Sequence, residues 1–193
     1  MHDSERDSIQ QDRDFWERMR EGDEQALAVL FRRHYAMLYG YGLKLACEDE
    51  LVKDCIQEVF AYIWEKRQNL AAVDSVRAYL LVALRRQVLK SLERQQQRQA
   101  SYQQFDREQP QMSISPEDFW VMAETEKAER RALQKALQEI PLRVREALYL
   151  KTFEGLNYRE IACIMNISPQ VARNYVSEAF HRLRQSLAAQ KIA

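Results

Sequence analysis

The sequence predicts an all-α protein built from two small helical domains joined by a linker. Three observations carry that prediction. Only four Gly and four Pro occur in 193 residues, so the chain has few turn-makers or helix-breakers. Apolar residues recur at spacings of three and four along most of the chain, and nothing alternates cleanly at two. Residues able to cap a helix stand where those apolar stripes begin.

Residues 1–13 are polar and read as frayed. A short helix starts near Asp14 with Phe15, Trp16 and Met19 on its apolar side, and Gly22 ends it. Asp23 caps a long helix carrying Ala26, Leu27, Leu30, Phe31, Tyr35, Leu38 and Tyr39. The acidic run Glu48-Asp49-Glu50 precedes a third helix to about Lys66, with Leu51, Cys55, Val59, Phe60, Ile63 and Trp64 apolar. A loop, Arg67–Asp74, leads to Ser75, which caps a helix with Tyr79, Leu80, Ala83, Leu84, Val88 and Leu92 on one side. These helices share one core, spanning about 14–95. From Gln95 the composition turns to Gln with few aliphatic residues, so 96–126 reads as a linker in which Ser115-Pro116 restarts a helix. The second domain covers about 127–188, and Pro141 opens a helix there that runs to Phe153 and closes at Gly155.

The run from Asn157 to Leu183 then shows two short helices with a sharp turn. Asn157 and Glu160 form a capping box, and Ile161, Ile164 and Met165 make an apolar stripe beside the small Ala162. Asn166 suits a left-handed helix end, Ile167 is a buried anchor in the turn, and Ser168-Pro169 start the next helix. That helix buries Ala172, Val176, Ala179, Phe180 and Leu183, and turns Gln170, Arg173, Asn174 and Ser177 outward. This is the helix-turn-helix pattern, whose second helix reads base edges in the major groove through Arg, Asn and Gln. An ordinary helical hairpin with a polar face is the plainer alternative.

The formal net charge is zero, but the charges are segregated. Residues 77–98 hold six bases (Arg77, Arg85, Arg86, Lys90, Arg94, Arg98) against one acid, and residues 138–191 hold eight bases against five acids. The intervening 99–126 hold six acids against one base. Two basic segments flanking an acidic one suggest two nucleic-acid contacts and a joining piece. No apolar run approaches a membrane span, so no membrane insertion is expected, and the polar N-terminus does not read as a signal peptide. Cys47, Cys55 and Cys163 lack metal or redox spacing and lie far from His2, His34 and His181, which points to free buried thiols in a reducing cytoplasm and to no metal or other cofactor.

The third helix has an acidic outer face of Asp54, Gln57, Glu58, Ala61 and Glu65. On periodicity alone this is a solvated surface. The order of features gives it a second meaning. Asp54, Gln57, Glu58, Val59, Phe60 and Trp64, then Tyr79-Leu80, then Tyr158-Arg159-Glu160-Ile161-Ala162 through Asn166-Ile167-Ser168, resemble an extracytoplasmic-function sigma factor of the bacterial sigma-70 family. The resemblance runs from about Asp14 to Leu187. The recognition-helix run Val171–Val176 is similar to the iron-uptake-regulator-like branch found in Bacteroidetes-type bacteria.

The resemblance implies a non-catalytic factor that directs core RNA polymerase to promoter DNA in the cytoplasm. Asp54, Gln57 and Glu58 would contact the clamp region of the large polymerase subunit. The loop Arg67–Asp74 would capture an unstacked base of the −10 element, with Arg77, Arg85, Arg86, Lys90 and Arg94 holding phosphates. Many members have Arg-Asn where this chain has Arg85-Arg86, so base preference is not carried over there. Arg159, Gln170, Arg173, Asn174 and Ser177 would read or flank the −35 element, with Arg182 and Arg184 on the backbone. Members are usually held by an anti-sigma factor, often membrane-bound. The alternative from another class is a stand-alone dimeric helix-turn-helix regulator that binds a palindromic site without polymerase. A response regulator would need a strand-rich receiver, and a resolvase an α/β domain, and neither pattern is present.

Overall fold

A computed structural model describes the backbone of residues 2–100 and 136–190, with side chains over 7–97 and 136–186. The chain divides into two compact units at residues 110/111. Among the described residues every regular element is a helix.

The N-terminal unit contains α1 (His2–Arg20), α2 (Glu24–Ala46), α3 (Asp49–Lys66) and α4 (Val76–Ala100), with a 3₁₀ turn at Arg67–Asn69. α2 lies at its centre and packs against the other three. Its start follows local chemistry: Gly22 takes φ +102, and the Asp23 carboxylate accepts from the amides of Gln25 and Ala26 at 2.9 and 3.1 Å. The buried set joins Trp16 and Met19 of α1 to Ala26, Leu30, Leu38 and Tyr41 of α2, to Val52, Ile56 and Ile63 of α3, and to Leu80, Leu81, Leu84 and Val88 of α4. α2 and α3 cross closely at Gly42. A Cβ there would lie 2.5 Å from Val52 Cγ1.

Two boundaries differ from the sequence reading. The first helix begins at His2, not near Asp14. The polar stretch is helical because α2 gives it partners: buried Asp12 faces Arg33 Nε at 2.8 Å and His34 Nε2 at 3.0 Å, and Arg33 also donates to Gln11 and Ser8. α4 runs on to Ala100, past the compositional change at Gln95, since glutamine is a competent helix former and no Gly or Pro intervenes. The rest of the 96–126 segment, including the restart at Ser115-Pro116, lies outside the described residues.

The C-terminal unit holds α5 (Leu142–Thr152), α6 (Tyr158–Met165) and α7 (Pro169–Gln190). Leu137, Ile140, Val144, Leu148 and Ala179 form a core cluster, with Tyr175 and Leu183 packed against it. Arg145 is also buried, and its guanidinium donates to the carbonyls of Gln138 and Ile140 at 3.1 and 3.0 Å. Burial pulls that guanidinium below its ordinary pKa.

Candidate nucleic-acid and partner interfaces

On α3, all five outer-face residues, Asp54, Gln57, Glu58, Ala61 and Glu65, are exposed. The opposite side, Val52, Cys55, Ile56, Val59, Phe60 and Ile63, is buried. Phe60 meets Phe31 edge-on with ring centroids 5.0 Å apart, so the acidic face is printed on a helix with little freedom to move. Glu58 accepts a hydrogen bond from Gln87 of α4. Tyr62, 55% exposed, flanks the acids and was missed by the sequence reading. Its spacing of four from Glu58 was the available signal.

The loop after α3 is tied down at both ends. Arg67 lies over the Trp64 ring, 4.2 Å from its centroid, and its Nη1 donates to the Trp64 carbonyl at 2.7 Å. Beyond the 3₁₀ turn, Leu70 is extended. The Ala71 carbonyl accepts from Trp16 Nε1 at 3.1 Å, and the Asp74 carbonyl accepts from Arg13 Nε and Nη2 at 2.9 and 2.6 Å. Ser75 then caps α4, its hydroxyl accepting from the Ala78 amide at 3.2 Å.

The five basic candidates of α4 do not form a single patch. Arg86, Lys90 and Arg94 are exposed and recur at four, which sets them on one line about 6 Å apart along the axis. Arg85 is half-buried beside that line. Arg77 lies about half a turn round the helix from Arg86, half-buried, with its Nε 3.1 Å from Met37 Sδ of α2.

In the C-terminal unit the turn chemistry is as read. The Asn157 side chain accepts from the amides of Arg159 and Glu160 at 2.9 and 3.0 Å, and the Asn157 amide donates to Glu160 Oε2 at 2.9 Å. Asn166 takes φ 53, and the Ile167 amide reaches back to the Ala162 carbonyl at 3.0 Å. Ser168 Oγ accepts from the Val171 amide at 3.2 Å. Ala172, Val176 and Ala179 are buried, and Gln170, Arg173, Asn174 and Ser177 are exposed on one face of the first turns of α7. Gln170 donates to Asn174 Oδ1 at 3.0 Å, so the two amides present as a pair. The Arg173 guanidinium lies 5.3 Å from the Tyr158 ring centroid, a contact the sequence reading did not foresee. Arg159 is exposed on the first turn of α6, Arg182 pairs with Glu178 at 2.7 Å, and Arg184 is exposed. Three expectations are corrected. Of the three thiols only Cys55 is buried, while Cys47 and Cys163, at a helix end and on the outer face of α6, are exposed. Phe180 is 38% exposed because Ala179 and Leu183 occupy the core row it was assigned to, and Ile167 is only partly buried in the turn.

Among the described residues no group of His, Cys, Asp and Glu is placed to hold a metal ion, and no helix is long and apolar enough to cross a membrane.

Comparison with known proteins matches residues 30–98 to Sigma-70 region 2 and residues 130–183 to Sigma-70, region 4. The chain belongs to the sigma-70 family. It is a sigma factor of the extracytoplasmic-function class, similar to the RNA polymerase sigma factor CarQ of Myxococcus xanthus. The two are 27% identical over 171 residues, which cover 89% of this chain and 94% of CarQ. In fold this sigma factor is similar to CnrH, solved with the cytosolic domain of CnrY (TM-score 0.61, 17% identity, 93% of this chain and 98% of that one). It is also similar to RpoE of Bartonella quintana, solved with the anti-sigma factor NepR (TM-score 0.56, 21% identity, 82% and 94%). The acidic face of α3, the loop and the α4 cations all fall inside the region 2 match, and the helix-turn-helix falls inside region 4.

Proposed function

We propose that this sigma factor joins core RNA polymerase, brings it to promoter DNA and starts transcription there. The observation that carries the reading is the pairing, in order, of a region 2 unit with an exposed acidic helix and a region 4 unit with an exposed recognition helix. Residues 14–95 form the polymerase-binding and −10 unit, 127–188 the −35 unit, and 96–126 the connection. Asp54, Gln57 and Glu58 dock on the clamp of the large subunit, where carboxylates on a stiff helix pair with partner arginines. Arg86, Lys90 and Arg94 hold backbone phosphates, with Arg77 and Arg85 supporting from the flanks of α4. Gln170, Arg173, Asn174 and Ser177 face the −35 bases, and Arg159 the adjacent backbone.

The protein acts in the cytoplasm and has no catalytic role. A net charge of zero suits a factor that binds DNA with polymerase rather than alone. The CnrH and RpoE structures hold a CnrY domain and an anti-sigma factor respectively, and by that likeness an anti-sigma protein restrains this chain too. The Val171–Val176 run supports a place in the iron-uptake-regulator-like branch.

Run-off transcription with purified core polymerase on genomic promoter fragments tests the reading. Promoter-dependent transcripts that disappear for a variant changed at both Asp54 and Glu58 are the expected result. No transcripts, together with tight DNA binding by the chain alone, would establish the dimeric regulator instead.

A further inference from the structure

We infer that α1 is a positioning element for the loop between α3 and α4, and that Arg13 is the residue through which it acts. This rests on the proposed function and on the role the family resemblance implies for that loop, the capture of an unstacked −10 base.

The loop has few means of holding its own shape. After the single 3₁₀ turn it has no helix or ladder until Ser75, and the side chains of Gln68, Asn69, Ala71, Ala72 and Asp74 are exposed. A segment of that kind samples many backbone conformations unless something outside it supplies partners. α1 supplies them. Arg13 donates twice to the Asp74 carbonyl, at 2.9 and 2.6 Å, and Trp16 donates to the Ala71 carbonyl at 3.1 Å. Both acceptors are backbone oxygens, so the clamp fixes the path of the chain whatever side chains the loop carries. It also turns those carbonyls toward α1, which leaves the exposed side chains for a ligand.

The clamp is itself anchored. Trp16 is 1% exposed and meets Tyr79 of α4 edge-on, with centroids 4.9 Å apart. One residue before Arg13, buried Asp12 is held by Arg33 and His34 of α2. Arg13 therefore extends from a helix fixed on two sides to the last loop residues before α4. A loop held ready meets a flipped base without first losing its own freedom, and that advantage appears in promoter opening rather than in polymerase docking or −35 contact.

The test uses holoenzyme made with the full chain, on a genomic fragment that supports its run-off transcription. Arg13→Ala should slow opening, read by permanganate reactivity of unpaired thymines, by about tenfold, which corresponds to loss of about 1.4 kcal/mol. Core-polymerase affinity and closed-complex binding should stay within about twofold of wild type. Arg13→Lys, which keeps one cationic donor, should recover most of the rate. Trp16→Phe, which keeps the buried ring and removes the donor, should slow opening in the same sense. A control in which residues 70–73 are replaced by Gly-Ser separates the two levels. If that replacement abolishes opening and Arg13→Ala leaves it unchanged, the clamp is refuted and the loop's role stands. If the replacement itself leaves opening unchanged, the loop does not take up a base and the inference falls with it. Equal losses in core binding, closed binding and opening for Arg13→Ala would assign the residue a general structural role and overturn the inference.

Discussion

The contact between Arg173 and Tyr158 allows the −35 assignment to be tested with a thermodynamic cycle. Arg173 is exposed on the recognition helix, and its guanidinium lies 5.3 Å from the Tyr158 ring centroid on α6. Two separable terms follow. A guanidinium reading a base edge contributes about 1–3 kcal/mol, so Arg173→Ala should weaken promoter binding by holoenzyme roughly five- to 150-fold. The exposed aromatic contact contributes about 0.5–1 kcal/mol toward holding that side chain in place, so Tyr158→Ala should cost roughly two- to fivefold. Tyr158→Phe, which keeps the ring, should bind like wild type. Because the tyrosine acts through the arginine, Tyr158→Ala placed on top of Arg173→Ala should add less than about 0.5 kcal/mol. Fluorescence anisotropy on a labelled promoter fragment measures all four corners, and thermal melting confirms that each variant is folded. Unchanged binding for Arg173→Ala would refute the base-reading assignment. Equal effects of Tyr158→Ala in both backgrounds would refute the claim that the ring positions the arginine. A uniform loss across all promoter sequences, with the salt slope reduced by about one, would make Arg173 a phosphate contact instead.

Three further outcomes follow from the fold. Asn157→Ala removes the acceptor for two amides and half of the capping box, so the C-terminal unit should lose about 1 kcal/mol and melt about 4–8 °C lower in calorimetry, with the N-terminal transition unmoved. Gly42→Ala puts a methyl 2.5 Å from Val52 Cγ1 and should cost the N-terminal unit about 1–3 kcal/mol in urea unfolding, partly recovered by adding Val52→Ala. Burial alone would raise the Asp12 carboxyl, but its bond to His34 and the charges of His34 and Arg33 outweigh that and hold it below the ordinary 3.8. Its contribution to stability is therefore complete above pH 3.8 and lost as the pH falls below it. Asp12→Asn should flatten the acid limb of the stability–pH curve below about pH 4.

What could be read from the sequence was whatever the chain settles within about four residues of itself. Asp23, Asn157 with Glu160, Asn166 and Ser168-Pro169 all perform the local task their chemistry suits, and the acidic face of α3 follows from helical period alone. The misses share a different cause. Asp12, His34 and Arg145 are polar residues on helices, which periodicity assigns to solvent. They are buried because partners lie across the fold or in the preceding turn. Val52 and Ile56 broaden the α3 core stripe beyond the narrower one first assigned. Within the candidate surfaces, exposure of Asp54, Gln57, Glu58, Gln170, Arg173, Asn174 and Ser177 was legible. The split of the α4 cations was not, because half a turn separates Arg77 from Arg86 and a charge count ignores rotation. Arg13 escaped notice because a side chain that serves a distant carbonyl leaves no pattern along the sequence.

The hydrogen bond from Gln87 to Glu58 gives the acidic helix a property of its own. The carboxylate has further lone pairs, so a partner cation at the engaged oxygen of Glu58 either shares it with Gln87 or displaces that amide, and where it displaces it docking exchanges one bond for another. Exchange lowers the net gain from that contact. Gln87 sits next to Arg86 on α4, so the displaced amide is freed beside the first cation of the exposed row. Occupancy on one helix thereby alters the inventory of donors on its neighbour, with no movement of either backbone.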